Sequence, residues 1–404
     1  MTCEVAVMNK LGVALAADSV VTLGDGPKTY HNAEKLFPLS PVAPVGIMTY
    51  GSAEMMGLPW ETVIKIYSQQ LGARRFDRLE QYAQDLLRFI ENAESLFPES
   101  AQRQWFRSLV RAYWSGEFLE PLKKEIEEKP QSRKRANDIL DGLVKKDLEW
   151  WKDFHTIEEL GAAYGDRILA EYDSILADIE KELFGAYSIS KDVLRGLRTI
   201  VRLMYTQNWF HLNDLTGVVV AGMGESEPFP VLQHYHVGTV AAGRLRFLKF
   251  DDARVSREDT SSVVPLAQRS MIDLFYCGIY PALRDRLGEI IRESMASALT
   301  AKGAKASPKL LSQVEKDFQE ALKKEVDQKY TQPLVAAVAA LPRHELATMA
   351  EALVSLTAFR ARMSIEETET VGGPIDVAVI SKGEGFVWVK RKDLVKPQAT
   401  VNPL

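Results

Sequence analysis

Residues 2–24 read TCEVAVMNKLGVALAADSVVTLG, and the first structural pattern of the chain lies in this stretch. Cys3 to Met8 and Val13 to Ala17 are short apolar runs, and Asn9 to Gly12 between them has the residue types of a tight turn. The pattern predicts a β-hairpin at the start of the chain. A hairpin brings the residue after its second strand, Asp18, beside the beginning of its first strand.

A secretory signal peptide is an alternative interpretation of the same stretch, with Ala14-Leu15-Ala16 as its cleavage site. Two features argue against it. The part before the apolar run carries Glu4 in place of a basic group, and Lys10 interrupts the apolar run itself. The hairpin is therefore the favoured interpretation.

The composition is that of a globular protein. The chain has 404 residues, of which 46% are hydrophobic and 26% charged, and its formal net charge is −5. The negative balance argues against a nucleic-acid partner. No apolar run reaches the length of a membrane-spanning helix, so no membrane partner is predicted. Cys3 and Cys277 are too few for a disulfide framework or a four-cysteine zinc site, and they suit a cytoplasmic protein without a metal.

Strand-like segments lie at both ends and in the middle of the chain, and helical sequence separates them. The hydrophobic patterns predict further strands at 45–49, 215–221, 230–240, 244–250, 375–380 and 386–390. They predict helical blocks from about 71 to 209 and from about Pro265 to Met363.

Strands drawn from three distant parts of the chain predict one core with helical blocks inserted into it. The prediction is a single α+β domain over 1–404. Its core segments are about 2–71, 211–284 and 342–392, its insertions about 72–210 and 285–341, and its tail 393–404.

Thr2 is the first candidate for chemistry. Removal of Met1 would give it a free α-amine beside its hydroxyl, and the amine is then a base close enough to activate that hydroxyl. An α-amine titrates near pH 8, so a modest downward shift of its pKa leaves it basic at neutral pH. Asp18, at the end of the hairpin, and Lys35, a short step later, are candidates for tuning those pKa values.

These residues carry a family resemblance. The stretch from Thr2 to Gly24 resembles the start of proteasome-type N-terminal-nucleophile hydrolases, above all the bacterial proteasome-like peptidase that works with an unfolding ATPase. Asn32-Ala33-Glu34-Lys35 and 47–54 (IMTYGSAE) are similar to the family segments that follow. The resemblance is weaker at 218–222 and 372–377, and altogether it covers a quarter to a third of the chain.

The resemblance implies a four-layer αββα sandwich with two large helical insertions. It implies that Thr2 is the nucleophile, that Asp18 holds Lys35, that Lys35 stabilises the charged nucleophile, and that a backbone N–H near Gly51 is the oxyanion donor. It further implies a cytoplasmic threonine peptidase without a cofactor, a peptide or protein substrate, a homo-oligomer (a ring or a dimer), and an ATPase or regulatory partner.

The sequence departs from the family pattern in three places. Tyr50 occupies the position of the family's oxyanion glycine, with Gly51 one residue later. The late segment 366–373 has no serine, so Thr370 or a nearby acid is left as the residue that positions the amine. The chain is also much longer than a typical member. A catalytically inactive scaffold or ring subunit, or a partner-controlled interaction protein, therefore remains the alternative function.

Two further features suggest other chemistry less strongly. His234 and His236 lie on one face of a predicted strand and could form a metal pair, but no third ligand is evident, so an exposed strand face is the favoured interpretation. Cys3 adjoins the proposed nucleophile, yet no histidine or asparagine pattern supports a catalytic thiol.

Overall fold

A computed structural model describes residues 2–22, 29–30, 33–128, 135–211, 215–303, 307–363 and 371–392. The fold is α+β, as predicted. Its strands are β1 Cys3–Asn9, β2 Gly12–Ala17, β3 Val21–Thr22, β4 Thr29–Tyr30, β5 Leu36–Pro38, β6 Val45–Gly51, β7 Glu54–Met55, β8 Leu58–Pro59, β9 Thr216–Gly222, β10 Val231–Ala241, β11 Arg244–Arg254, β12 Ser261–Ala267, β13 Asp376–Ser381 and β14 Gly385–Lys390.

The helices lie mainly between β8 and β9 and between β12 and β13. They are α1 Trp60–Leu71, α2 Leu79–Asn92, α3 Glu99–Trp114, α4 Glu120–Glu128, α5 Ala136–Trp150, α6 Tyr164–Glu171, α7 Asp173–Phe184, α8 Lys191–Thr206, α9 Ser270–Cys277, α10 Pro281–Ala301, α11 Pro308–Val326, α12 Gln332–Ala340 and α13 Arg343–Met363. Single π-helical turns join α3 to α4 and α11 to α12.

Two five-stranded antiparallel sheets form the core. The first has the order β12-β1-β2-β13-β14 and the second the order β11-β10-β9-β6-β5. The predicted hairpin is confirmed, with Val5 opposite Ala16 in its register. Both of its strands are buried along their whole length. A strand covered on both faces reads as a continuous apolar run, and this explains why the hairpin sequence does not alternate.

Three apolar clusters show what covers each sheet. One cluster contains residues of both sheets, among them Leu15 and Val219. A second lies on the other face of the first sheet and includes Val5 with Leu353 of α13. A third joins the second sheet to α1 and α2 and includes Val220 with Trp60. Helix α2 thus packs beside α1, although its residues fall in the range assigned by sequence to the first insertion.

The two helical blocks differ in how they are buried. Helices α3 to α8 enclose an apolar cluster of their own, in which Phe106 stacks on Tyr172 with ring centroids 4.1 Å apart. Helices α10 and α11 pack on each other, but α10 buries only Gly288 and α11 buries no residue. Among the helices in the ranges given above, none combines the length and the apolar character that crossing a membrane requires.

The predicted start of the second helical block is wrong. Pro265 lies within β12, opposite Val5, and the first helix of the block begins at Ser270. Proline has no N–H to donate to a sheet ladder, so it is confined to edge strands. β12 is such a strand, because it is the first in the order of its sheet. The predicted tail, 393–404, lies outside the described residues.

Two helical glycines provide a matched test of how α8 packs on α5. A Cβ added at Gly142 meets no heavy atom within 4 Å, whereas one added at Gly196 would lie 2.5 Å from Val144 Cγ1. We expect Gly142→Ala to raise the free energy of unfolding by about 0.5–1 kcal/mol, because alanine is the better helix former. We expect Gly196→Ala to lower it by about 1–3 kcal/mol through overpacking. Thermal unfolding measures both, and stabilisation by both substitutions would contradict this packing.

Candidate active site

The β1–β2 hairpin brings Thr2 and Asp18 together. Glu4 pairs with Ala17 in the hairpin register, so Asp18 follows the end of β2 opposite Cys3, and the Asp18 N–H donates to the Cys3 carbonyl at 3.1 Å. The Thr2 hydroxyl donates to Asp18 Oδ1 at 2.5 Å. Thr2 is buried, and its carbonyl accepts from the Gln268 N–H at the end of β12.

Lys35 completes the group from the segment before β5. Its ammonium donates to Asp18 Oδ1 at 2.7 Å, to the Val20 carbonyl at 2.6 Å and to Thr2 Oγ1. These contacts use all three N–H donors of the lysine. The Thr2 hydroxyl therefore lies between a buried ammonium, which favours negative charge on its oxygen, and a buried carboxylate, which accepts its hydrogen bond.

The Asp18 carboxylate is fixed by main-chain donors as well as by side chains. Oδ1 accepts from the Cys3 N–H at 3.1 Å, and Oδ2 accepts from the N–H groups of Val20 at 3.4 Å and Gly372 at 3.0 Å. The Ser19 N–H donates in turn to the Gly372 carbonyl. The late segment thus reaches the site through the backbone of Gly372, while Thr370 lies outside the described residues.

Gly51 lines the same cavity as Thr2 and Lys35. The cavity has a volume of about 490 Å³, and its described lining also includes Tyr50, Trp60, Val20, Ala33, Glu34, Thr49, Ser52, Ala53, Pro59, Glu61, Ala267 and Gln268. Gly51 has a φ of 86°, and a Cβ there would lie 2.4 Å from the Leu215 carbonyl oxygen. Only glycine fits this turn without strain.

Cys3 does not share this setting. Its side chain belongs to the cluster with α13, on the opposite face of β1 from Thr2. Burial raises the pKa of the thiol to about 12, and a side-chain hydrogen bond with Thr357 lowers it only in part. Since the thiolate is the nucleophilic form, Cys3 is poorly placed for covalent chemistry.

Lys392 is a site neighbour that the sequence did not reveal. Its ammonium lies 2.9 Å from Asp376 Oδ2, and it donates to Ser19 Oγ at 3.0 Å and to the Ala33 carbonyl. It thereby links Ser19, which follows Asp18, and Ala33, two residues before Lys35, to β13. Ser19 and Ala33 are more than 350 residues away in sequence, and Asp376 lies on the neighbouring strand β13. No local sequence pattern could therefore have identified Lys392.

Glu4 was also missed as a buried acid. It is wholly buried, and within the described part of the chain neither carboxyl oxygen has a hydrogen-bond partner. Burial raises its pKa well above the usual range; nearby Lys35 lowers the pKa and nearby Asp18 raises it further. The neutral, protonated acid is therefore the favoured form. By strand alternation Glu4 lies on the same face of β1 as Thr2.

The expectation of an exposed histidine face is wrong. His234 is buried and His236 half-buried, and Tyr50 Oη lies 2.7 Å from His234 Nε2 and 3.3 Å from His236 Nε2. Burial, together with His236, lowers the pKa of His234 to about 3, and burial lowers the pKa of His236. Two neutral imidazoles thus lie within hydrogen-bonding distance of the Tyr50 hydroxyl, and Tyr50 lines the cavity. Within the described ranges, no cluster of three or more metal-ligating side chains includes them.

Comparisons with known proteins add little to this geometry. No protein-family model matches the chain, and no curated protein matches it. Among solved structures, Anbu (ancestral beta-subunit) from Yersinia bercovieri aligns over 97% of this chain and 88% of its own, at 11% identity and a TM-score of 0.30. A Gly-1 mutant of Anbu from Hyphomicrobium sp. strain MC1 aligns over 97% and 86%, at 9% identity and a TM-score of 0.29. Likeness at this level establishes neither family membership nor activity.

Because the pKa of Glu4 is raised in the folded protein, the free energy of unfolding should depend on pH through this residue. A carboxyl whose pKa is higher in the folded state than in the unfolded state stabilises the fold below its unfolded pKa, near 4.3, and loses that effect as the pH rises through its folded pKa. We expect Glu4→Gln, a neutral isostere, to become more stable relative to the wild type as the pH rises from 5 to 8. The difference in free energy of unfolding between Glu4→Gln and the wild type can change by at most about 1.4 kcal/mol per pH unit. Urea unfolding at several pH values measures the difference, and parallel pH profiles would contradict the assignment.

The Asp18–Lys35 contact makes a second prediction. Asp18→Asn leaves a buried ammonium without its counter-charge, which typically costs about 3–5 kcal/mol. Lys35→Met leaves Asp18 with its backbone donors and should cost less. In a double-mutant cycle measured by denaturant unfolding, we expect the two changes to be coupled by about 2 kcal/mol or more.

The exposed pair Lys145–Asp141 is the matched control for that cycle. The same substitutions there, Asp141→Asn and Lys145→Met, should be coupled by about 0.5 kcal/mol or less, because exposed ion pairs contribute little. Equal coupling in the two cycles would show that burial does not strengthen the pair at the candidate site.

Proposed function

We propose that this chain is a proteasome-like N-terminal threonine hydrolase that cleaves amide bonds in peptides through an acyl-enzyme on Thr2. One observation carries the proposal: the Thr2 hydroxyl contacts both Asp18 and Lys35 at the wall of a cavity. A hydroxyl needs a nearby base and a stabilising charge to become a nucleophile. In this proposal Lys35 supplies the charge, and the base is the α-amine that Thr2 gains when Met1 is removed.

The reaction takes place in two stages. Thr2 Oγ1 attacks the carbonyl carbon of the scissile amide, and the hydroxyl proton passes to the α-amine of Thr2. The tetrahedral intermediate carries its negative charge on the substrate oxygen, for which a backbone N–H near Gly51 is the proposed donor. The intermediate collapses as the leaving amine takes the proton from the α-ammonium, and an ester on Thr2 remains. Water then attacks the ester with the α-amine as base, the bond between the acyl carbon and Thr2 Oγ1 breaks as Oγ1 takes the proton from the α-ammonium, and the carboxylic acid leaves.

Asp18 acts on this reaction as a positioning residue. Its carboxylate fixes the Lys35 ammonium and the start of β1 through separate contacts. Because the carboxylate is itself held by backbone N–H groups, it keeps Thr2 and Lys35 in one relative position. Such preorganisation means that little rearrangement is needed when charge develops during attack.

The wider architecture belongs to the same proposal. We infer that the three apolar clusters correspond to the four-layer αββα sandwich of N-terminal-nucleophile hydrolases, with helical insertions near 72–210 and 285–341 in a single domain. A cytoplasmic homo-oligomer, either a ring or a dimer, and an ATPase or regulatory partner accompany this function. No cofactor is required, since every step uses groups of Thr2, Lys35 and the main chain.

Hydrolysis of a panel of fluorogenic peptide amides tests the proposal. We expect Thr2→Ala to reduce the rate at least about 1,000-fold, because the nucleophile is lost. Thr2→Ser should keep part of the activity. Cys3→Ala is the adjacent control and should leave hydrolysis largely intact. Hydrolysis that survives Thr2→Ala but not Cys3→Ala would overturn the proposal in favour of the thiol. Hydrolysis unaffected by either substitution would exclude Thr2 as the nucleophile, and a wild type that hydrolyses no peptide of the panel would favour an inactive scaffold.

A further inference from the structure

The cavity beside Thr2 combines apolar walls with carboxylates. Its apolar lining is provided by Val20, Ala33, Ala53, Pro59, Trp60 and Ala267. Trp60 is fixed in place, because its indole N–H donates to Thr216 Oγ1 at 2.8 Å. Two acidic residues, Glu34 and Glu61, are among its described lining residues. A cavity of about 490 Å³ is within the range that receives a small ligand or a large side chain.

The charges that line the cavity do not balance. Lys35 is a lining residue, but its ammonium is 2.7 Å from Asp18 and is neutralised there. Among the described lining residues, Glu34 and Glu61 then leave an excess of two negative charges. The Glu34 side chain is 6% exposed and that of Glu61 is 44% exposed, so one carboxylate is buried and the other stands at the surface.

The cations that accompany these carboxylates lie outside the cavity. Arg391 donates to Glu34 at 2.8 Å, and Lys65 is shared between Glu61 and Glu34, which is 4.0 Å away. Neither cation is a lining residue, and their side chains are 46% and 57% exposed. An ionised carboxylate accepts about four hydrogen bonds, so the half-exposed Glu61 carboxylate can accept a further donor, while Glu34 adds negative charge beside it. At Glu61 an entering cation can also replace the exposed Lys65, because such pairs contribute little.

We propose that this cavity receives a lysine or arginine side chain from the peptide residue whose carbonyl Thr2 attacks, an inference that rests on the proposed function. A lysine or arginine has an apolar stem and a cationic end, which match the apolar walls and the carboxylates of this cavity. Glu61 is the residue that selects charge at the surface end. A neutral side chain of the same shape fits the walls but leaves the carboxylates without the new partner.

Paired peptides that differ only in charge test the proposal. Arginine and citrulline have nearly the same shape, and only arginine is cationic. We expect kcat/KM of the wild type to be at least about 10-fold higher for the arginine peptide, since a charge-assisted hydrogen bond is lost with citrulline. Glu61→Gln should reduce the ratio about 3-fold or more, whereas Lys65→Met should increase it, because the competing cation is removed. Glu94→Gln, which alters an exposed acid outside the cavity lining, is the control and should leave the ratio unchanged.

A binding measurement separates this inference from the proposed function. The affinities of peptide acids ending in arginine and in citrulline are measured by calorimetry on the Thr2→Ala variant, which needs no turnover. Tighter binding of the arginine peptide, weakened by Glu61→Gln, supports the cationic pocket even if no hydrolysis is found. Equal or weaker binding of the arginine peptide overturns it, even if hydrolysis depends on Thr2.

Discussion

The buried Asp18 carboxylate organises the contacts that join three distant parts of the chain at the candidate site. It is buried and accepts hydrogen bonds from Thr2, Cys3, Val20, Lys35 and Gly372. A buried charge is costly unless it is paired and hydrogen-bonded, so these donors must be brought to it. They come from the start of the chain, from the segment before β5 and from a segment some 350 residues later. The pairing of β13 with β2, the central strand of the first sheet, brings this late segment to the site.

Burial of the site has consequences for its surroundings. Lys392 and Asp376 form a second buried pair that holds Ser19 and Ala33 next to the site. A buried ion pair contributes little net stability, but loss of one partner is severe, so this pair fixes the local geometry more than it stabilises the fold. Arg391, the preceding residue, reaches Glu34 in the cavity lining. Arg391 and Lys392, the two residues after β14, therefore hold Glu34 in the cavity lining and Ser19 next to Asp18.

The local features could be predicted from the sequence, and the distant ones could not. The hairpin follows from two apolar runs and a turn, and Thr2, Asp18 and Lys35 lie within the first 35 residues, so their proximity needs few long-range contacts. β12 was missed because Pro265 suggests a helix start, and only the sheet order shows that it occupies an edge strand. His234 and His236 alternate as a solvent-facing strand would, yet Tyr50 from a neighbouring part of the sheet covers them. The burial of Glu4 without a hydrogen-bond partner among the described residues depends on the packing of a whole interior and has no signature in sequence.

In the proposed mechanism Thr2 presents its hydroxyl and its own free amine in one reactive group. Treatment with a peptide epoxyketone followed by peptide mapping by mass spectrometry tests this, since that reagent requires both groups on a single residue. We expect one adduct per chain, located on an N-terminal Thr2 and absent in the Lys35→Ala variant. A folded protein that retains Met1 and forms no adduct would contradict it.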